Sequence, residues 1–295
     1  MPISVIALML MTLGVAINQV EGVSVKKYNA RHGKGGMIFI ALLSFCSMTF
    51  FFITDKGGLC FSREMIPYAL ASAIFYSSAS FLTYVAYGCG SFVLTNLFIS
   101  YSLLIPIGYG LIFLADPATP LTYVALSLIA VSVFLTNIGG GQGAREDEKR
   151  KGISFKWLLC ALASAIGSGM FGVMQKMQQV RFDKSYDNEF MIVTLGCSAV
   201  MLFTIGIFKN GKELSYTVRH GGLYAAIAGL FNGATNFINL TVNAMIPISI
   251  ASPSRCGVAM VMSFFISLIV FKEKLSARQT VGAVIGAVAL ILLNL

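Results

Sequence analysis

The stretch YAAIAGLFNGATNFINLTVN, residues 224–243, is long and apolar enough to cross a bilayer, yet it contains Asn232, Asn236, Asn239 and Asn243. At 100° per residue, these spacings place all four side chains on one face of a helix. An asparagine that faces lipid leaves amide donors and acceptors without partners in hydrocarbon. The stretch therefore predicts a membrane helix whose polar face turns toward other helices or toward a polar cavity.

The composition of the whole chain indicates a membrane protein. Of 295 residues, 57% are hydrophobic and 11% are charged, and the mean hydropathy is +0.81, which excludes an ordinary soluble protein. The formal charge of +9 comes from Lys and Arg in short links between apolar segments, so no basic nucleic-acid-binding domain is predicted. The six cysteines form no CxxC pair and no metal-ligand spacing, and we assign them no function.

Ten segments have the ~20 mostly apolar residues that a membrane-spanning helix needs. The longest link between them is glycine-rich and then charged, which indicates a boundary between two halves. We therefore predict a first five-helix repeat at 1–140, a charged linker at 141–154 and a second five-helix repeat at 155–295. The ten predicted helices cover 2–20, 36–54, 66–88, 91–114, 119–137, 155–175, 189–208, 221–244, 248–271 and 276–294.

An internal repeat is indicated by an offset of 156 residues, which aligns 68–87 with 224–243. Because each half contains five helices, an odd number, the two repeats would cross the membrane in opposite directions. The predicted fold class is an all-α polytopic membrane protein with ten transmembrane helices in two inverted five-helix repeats. In this alignment the four asparagines fall opposite four polar residues, Tyr76, Ser80, Thr83 and Tyr87.

The orientation follows from the basic residues in the links between predicted helices. Counted together with the first turn of the helix that follows each of them, links 1–2, 5–6, 7–8 and 9–10 contain 15 of the 21 Lys and Arg residues, against 5 in links 2–3 and 6–7. The positive-inside rule then places link 5–6 in the cytoplasm and both termini outside.

The polar residues on the predicted helices have two interpretations. They are contacts between helices worth ~0.6 kcal/mol each, or they line a solute path. Four asparagines in register favour the cavity. The candidate lining residues are Asn232, Asn236, Asn239, Tyr76, Ser80, Asn96, Asn18 and Gln175.

Arg255 is the one charge well inside a predicted helix, two residues after Pro253. An arginine at membrane depth costs at least ~2.5 kcal/mol, so it is a candidate for function. Pro253 removes a helical donor, as Pro106 does in the other half, and interrupted helices in both halves point to a transporter site. Together with Ser252, Arg255 would bind a carboxylate or phosphate; the alternative is that it extends to the membrane edge.

Glu21 depends on where the first helix ends. If the helix stops near residue 20, Glu21 is an interfacial carboxylate; if it continues to about residue 28, Glu21 is an intramembrane acid and the candidate proton carrier. His32 and His220 lie in links, and no nucleophile with a base and no metal-ligand cluster is evident. We therefore expect no enzymatic activity, no metal and no cofactor.

The stretch SLIVFKEKLSARQTVGAVIGAVALILL, 267–293, resembles the closing helices of EamA-like transporters in the drug/metabolite transporter superfamily. In the first half, Asp116 and Thr119 form a fainter copy of Glu273 and Ser276. The resemblance implies an inner-membrane carrier, often an exporter of amino acids or other small metabolites, that works by alternating access. The matching turn residues are Phe271, Glu273, Leu275, Ser276, Gln279 and Gly282.

We therefore hypothesise a secondary transporter of a small polar metabolite, with Arg255 as the anchor of a carboxylate and a proton or sodium ion as the coupling ion. Arg255 is similar to a basic residue of phosphate-sugar carriers in the superfamily, although the second basic residue is missing. The alternatives are a cationic-drug exporter coupled to protons through Glu21, as in the small multidrug relatives, and a structural membrane subunit. The G-x-x-x-G pattern at 282–286 is consistent with close packing or with a homodimer, so the chain acts as a monomer or a homodimer.

Overall fold

The computed structural model describes residues 3–55, 57–113, 155–183, 185–245, 248–272 and 277–292, together with single positions between 120 and 135. All regular secondary structure in these residues is helical. The helices are α1 (Ile3–Arg31), α2 (Gly36–Thr54), α3 (Ile66–Cys89), α4 (Phe92–Ser100), α5 (Leu104–Phe113), α6 (Phe155–Arg181), α7 (Asp187–Asn210), α8 (Leu214–Met245), α9 (Ile248–Ile269) and α10 (Ala277–Leu292), with 3-10 turns at Tyr101–Leu103 and Gly211–Glu213.

Five of the described helices are long and apolar enough to cross a membrane. The prediction of an all-α membrane protein is confirmed at this level. The five candidate spans are Ile6–Arg31, Gly36–Thr54, Ile66–Cys89, Phe155–Arg181 and Asp187–Lys209.

Several helix bounds differ from those predicted. The prediction for α2 is correct at both ends, because an apolar run bounded by Gly35 and Asp55 is visible in the sequence. By contrast, α1 continues to Arg31 instead of ending at residue 20, since Tyr28 near its end is fully buried against other helices. Predicted helix 4 is divided by the 3-10 turn Tyr101–Leu103. Predicted helix 5, at 119–137, lies largely outside the described residues.

The described helices form one bundle in which early and late helices alternate. α1 packs against α8, α3 packs against α6 and α7, and α2 packs against both α7 and α8. α9 contacts α1 and α4, and α4 and α5 contact α6. In the first half of α1, Gly14 lies against Ile238; at the C-terminal end, Arg31 Nη1 donates to Tyr224 OH at 2.9 Å, so α1 and α8 are antiparallel.

The α1–α2 link and the start of α8 meet at one end of this bundle. His32 Nδ1 lies 3.0 Å from Tyr216 OH, and Gly35 N donates to Glu213 Oε2 at 2.6 Å. The rings of His32 and His220 lie 5.4 Å apart, so the two histidines of the chain meet here. Polar contacts therefore hold together the links that flank α1 and α8.

Aromatic side chains fill the interior at the same end. Tyr28 stacks on Phe39 at 4.1 Å between ring centroids, and Phe92 lies 5.1 Å from Phe271. Lys26, which is buried, places Nζ 4.7 Å from the centroid of Phe271. These contacts join α1, α2 and α4 to one another and to Phe271, which follows α9.

Candidate functional site

A polar cavity lies within the bundle, between α1, α2, α3, α4, α6 and α8. Its volume is about 330 Å³, enough for a small metabolite. Apolar lining is contributed by residues such as Val25, Leu43 and Phe171. The polar lining residues are Asn18, Gln19, Glu21, Tyr76, Ser80, Thr83, Tyr87, Asn96, Ser102, Ser168, Asn232, Thr235, Asn236 and Asn239.

Glu21 lies in the wall of this cavity because α1 stays helical well beyond residue 20. Of the two interpretations of Glu21 given by the sequence, the structure therefore places it within the helix. Among the described residues that line the cavity, Glu21 is the one with a carboxyl group. A carboxyl group here can accept hydrogen bonds from a solute or bind a proton.

Asn232 connects Glu21 to three further helices. Its Nδ2 lies 3.0 Å from Glu21 Oε1 and 3.1 Å from Oε2. Its Oδ1 accepts from Ser47 Oγ at 2.8 Å, from Tyr76 OH at 2.9 Å and from Asn236 Nδ2 at 3.1 Å. We call these five residues the Asn232 cluster; they bring together α1, α2, α3 and α8.

The asparagine face of α8 thus contributes both to packing and to the cavity. Asn232 and Asn236 are 8% and 7% exposed and belong to the cluster, while Asn239 lines the cavity further along the helix. The side chain of Asn243 lies outside the described residues. Residues of this face therefore take part in helix contacts, and the same face also lines the cavity.

Asn96 is a second distinctive group in the cavity wall. Its Oδ1 accepts from Tyr87 OH at 2.7 Å, and its Nδ2 is buried without a hydrogen-bond partner in the described protein. A buried donor without a partner is costly, so this amide group is available to a solute or to water. Asn18, on α1, donates to Glu21 Oε2 at 3.3 Å, and Ser80 also lines the cavity.

The other candidate residues that the structure describes are not among the lining residues of this cavity. Arg255 is half-buried on α9 and is not among the described lining residues. α9 continues through Pro253, so this proline does not end the helix, and Pro106 lies within α5 just after the 3-10 turn. The side chain of Ser252 lies outside the described residues. Gln175 donates to Met191 Sδ at 3.4 Å and contacts α7.

Sequence reasoning missed two residues that support the site. Ser47 lies in an otherwise apolar helix, so no polar face was predicted there. The available signal was the spacing of Ser44 and Ser47, which are neighbours on one helical face. Gln19 Nε2 donates to Ala259 O at 3.3 Å and its Oε1 accepts from Ser263 Oγ at 3.1 Å, which ties α1 to α9. No group of three or more His, Cys, Asp or Glu suited to a metal ion occurs in the described part of the chain.

Comparison with known proteins gives a family and a fold. Residues 155–295 match the model of the EamA-like transporter family. One solved crystal structure aligns with a TM-score of 0.62 at 12% sequence identity over 95% of each chain, which shows a shared fold. A search of curated proteins gives no match. The resemblance seen in the last helices is confirmed: residues 155–295 match the EamA-like transporter family, which belongs to the drug/metabolite transporter superfamily.

Proposed function

We propose that this protein is a secondary transporter that moves a small polar metabolite across the inner (plasma) membrane by alternating access, and that it is not an enzyme. The observation that supports the proposal is the polar cavity of about 330 Å³ inside an apolar bundle. A purely structural subunit has no use for a cavity with an unpaired buried amide such as Asn96. The match to a transporter family points the same way.

We infer that the fold consists of two inverted five-helix repeats, 1–140 and 155–295, joined by the linker 141–154. The packing of the described helices supports this. In such a repeat, α1 corresponds to α6, α2 to α7, α3 to α8 and α4 to α9. Each contact between the halves should then have a counterpart: α1–α8 with α3–α6, α2–α8 with α3–α7, and α1–α9 with α4–α6. All six of these contacts occur. Two such halves can rock about a central site.

The lining of the cavity favours a solute that carries hydrogen-bond donors. Glu21 would accept from an ammonium or hydroxyl group, and Asn96 Nδ2 would donate to a carboxylate or carbonyl oxygen. An amino acid has both groups. Arg255 and Ser252, on α9 beside α1 and α4, stay in the proposal as a separate anchor for a carboxylate.

A second candidate is the export of cationic compounds in exchange for protons at Glu21. It is favoured by one observation, namely that Glu21 is the residue with a carboxyl group among the described lining residues. The two candidates differ in the role of Arg255, which the cation exporter does not need. In the transporter of carboxylated metabolites, sodium is the other candidate coupling ion.

We further propose that link 5–6 is cytoplasmic and that both termini are outside. In support, the α1–α2 link and the start of α8 lie at the same end of the bundle, as two basic links on one side of a membrane should. The chain acts as a monomer or a homodimer. Ser132 Oγ donates to Gly282 O at 2.5 Å, so at least one glycine of the G-x-x-x-G pattern packs within the chain.

The proposal is tested by ligand-induced thermal stabilisation of the purified full-length protein against amino acids, organic acids, sugar phosphates and lipophilic cations. A ligand of the native state raises the apparent stability according to its concentration relative to Kd. We expect amino acids or related metabolites to stabilise the protein, and Glu21→Gln to remove the response. Glu64→Gln is the matched control, because Glu64 is exposed and pairs only loosely with Arg181 at 3.9 Å.

Uptake into proteoliposomes then tests transport of the compounds that bind. Stabilisation by lipophilic cations alone, with no effect of Arg255→Gln, supports the cation exporter. If no compound class stabilises the folded protein and none is transported, the transporter proposal is wrong. A loss of the response in Arg255→Gln with a normal response in Glu21→Gln would assign the anchor to α9.

A further inference from the structure

We propose that Asn232 is the positioning residue of this site: its side-chain amide is fixed in one orientation by the helices around it, and it thereby holds both oxygens of Glu21 as hydrogen-bond acceptors. The inference rests on the proposed function in one respect, namely that Glu21 faces a solute or a coupling proton. The orientation itself follows from the hydrogen bonds alone.

The orientation of Asn232 can be traced to a backbone carbonyl. Asn236 places one atom of its amide 3.0 Å from the carbonyl oxygen of Asn232. A carbonyl oxygen only accepts, so this atom of Asn236 must be the nitrogen, Nδ2. The same Nδ2 lies 3.1 Å from the side chain of Asn232, so the atom it meets there must be an acceptor, Oδ1. The other amide atom, the donor Nδ2, therefore faces Glu21.

Two more donors make this orientation costly to change. Ser47 Oγ and Tyr76 OH both lie within 2.9 Å of Asn232 Oδ1 and are placed to donate to it. A turned amide would bring its NH₂ group against that of Asn236 and its oxygen against the carboxyl of Glu21. Because Asn232 is only 8% exposed, water does not easily replace the lost partners. The amide is thus held by α2, α3 and its own helix.

This arrangement makes Glu21 an acceptor at both oxygens. Asn232 Nδ2 reaches Oε1 and Oε2, and Asn18 Nδ2 donates to Oε2 as well. A proton or an ammonium group that binds Glu21 competes with these donors for the two oxygens and can displace one of them. Since Asn232 cannot turn, the displacement changes the contact between α1 and α8. Asn232 therefore transmits the state of Glu21 to the junction of four helices.

The charged and titratable groups around Glu21 are few in the described part of the chain. On α3, Tyr76 and Tyr87 line the same cavity. On α1 itself, Lys26 directs its Nζ to Gly90 O at 3.4 Å. Arg255 lies on α9, which packs against α1. The residues contributed by α2 and α8, Ser47 and Asn232, are uncharged. The amide nitrogen of Asn232, at 3.0 and 3.1 Å, is the closest described donor to Glu21.

Labelling with dicyclohexylcarbodiimide tests this proposal without any solute. The reagent adds to a protonated carboxyl group to give an O-acylisourea, which rearranges to a stable N-acylurea. The purified full-length protein in detergent is labelled over a series of pH values, and mass spectrometry measures the fraction of modified Glu21 peptide. Glu21→Gln defines the background. The readout is the pH at which labelling is half-maximal, which a merely structural residue would not move.

In Asn232→Ala we expect this midpoint to move to higher pH by about one unit, because the carboxylate has lost its two closest amide contacts. Asn239→Ala is the matched control: Asn239 lies on the same face of α8 and lines the cavity, but it has no hydrogen bond to Glu21. An unchanged midpoint in folded Asn232→Ala, or an equal shift in the control, would overturn the proposal.

A second variant serves if Asn232→Ala fails to fold. Asn232→Asp keeps an acceptor for Ser47, Tyr76 and Asn236 and replaces only the donor that faces Glu21, so we expect a larger shift in the same direction. The double variant Glu21→Gln with Asn232→Asp reverses donor and acceptor and should recover the melting temperature lost in Asn232→Asp. If both single variants unfold and the double variant recovers nothing, the pair is not a positioning contact.

The two proposals can fail separately. Labelling reports the contact between Asn232 and Glu21 whether or not a solute is ever transported. Conversely, a solute could be shown to be transported while the labelling midpoint stays the same in the Asn232 variants. That result would support the transporter proposal and reject the positioning role.

Discussion

The α1–α8 and α3–α6 interfaces both join the first proposed repeat to the second at equivalent positions, and they differ in chemistry. Gly14 of α1 lies against Thr235 and Ile238, while Gly167 of α6 lies against Ala79. Because Thr235 and Ala79 are related by the offset of 156 residues, the two glycines correspond. Each helix pair therefore approaches closely at the same place.

Beyond this shared contact, the polar pairs described at the two interfaces differ, because the α1–α8 pair includes a carboxyl group and the α3–α6 pair does not. The α1–α8 interface pairs Glu21 with Asn232, whereas the α3–α6 interface pairs Thr83 with Ser164 at 2.6 Å and Tyr76 with Phe171 at 5.3 Å between ring centroids. Counted from the corresponding glycines Gly14 and Gly167, the residue of α6 that corresponds to Glu21 is Met174. Helices thus approach closely at both interfaces, while the carboxyl group that lines the cavity lies at the α1–α8 interface.

The largest expected effect is the loss of function on replacing the carboxyl group of the α1–α8 interface. In Glu21→Gln we expect solute-induced stabilisation or uptake to fall by more than tenfold (~1.4 kcal/mol or more), because the carboxylate that faces the cavity is gone. Met174→Leu, at the equivalent position of the other interface, should leave uptake unchanged. An equal loss in both variants would mean that the two interfaces are not chemically distinct.

Filling the shared glycine contact should affect the two interfaces unequally. A Cβ at Gly167 would lie 3.1 Å from Phe75 O and from Ala79 Cβ, both fixed by the backbone, whereas at Gly14 it would meet the side chain of Ile238 at 2.9 Å. We expect Gly167→Ala to cost about 1–3 kcal/mol and Gly14→Ala less, since Ile238 can change rotamer. Thermal unfolding in detergent measures the stability of both variants. A larger loss in Gly14→Ala than in Gly167→Ala would show that the α1–α8 interface is the less tolerant of the two.

Removing one hydroxyl from the Asn232 cluster should affect the response to solute less than neutralising Glu21. Tyr76→Phe deletes a donor to Asn232 Oδ1 and should cost about 1 kcal/mol in the same unfolding assay. Because Ser47 and Asn236 still fix the amide, the response to solute should change less than in Glu21→Gln. A complete loss of the response would indicate that Tyr76 contacts the solute directly.

The smallest effect is expected at the hydroxyl pair of the α3–α6 interface. Ser164 is fully buried, lies 2.6 Å from Thr83 Oγ1 and donates to Ala79 O at 3.1 Å. Ser164→Ala should cost ~0.6 kcal/mol, the typical value of a polar contact between membrane helices, and should leave uptake unchanged. A change in uptake comparable to that of Glu21→Gln would show that the α3–α6 interface also contributes to the site.

The limits of sequence reasoning are visible in Glu21 and Arg255. Both are charged residues in or near apolar segments, and the sequence favoured Arg255 because it lies deeper in its segment. The cavity contains Glu21, and Arg255 lies outside its described lining. Hydropathy measures the depth of a residue along one helix but carries no information about the direction in which that helix turns its side chain within a bundle.

Local sequence patterns were sufficient to predict the membrane environment, the helical class, the bounds of α2, the family that the second half matches and the inward-facing side chains of Asn232, Asn236 and Asn239. These follow from local properties, since hydrophobic length and the 3.6-residue period are written into each segment. Only the tertiary structure decided that α1 continues past Glu21 and that Ser47, from a different helix, completes the Asn232 cluster. Both depend on contacts between residues far apart in the chain, which no local pattern encodes.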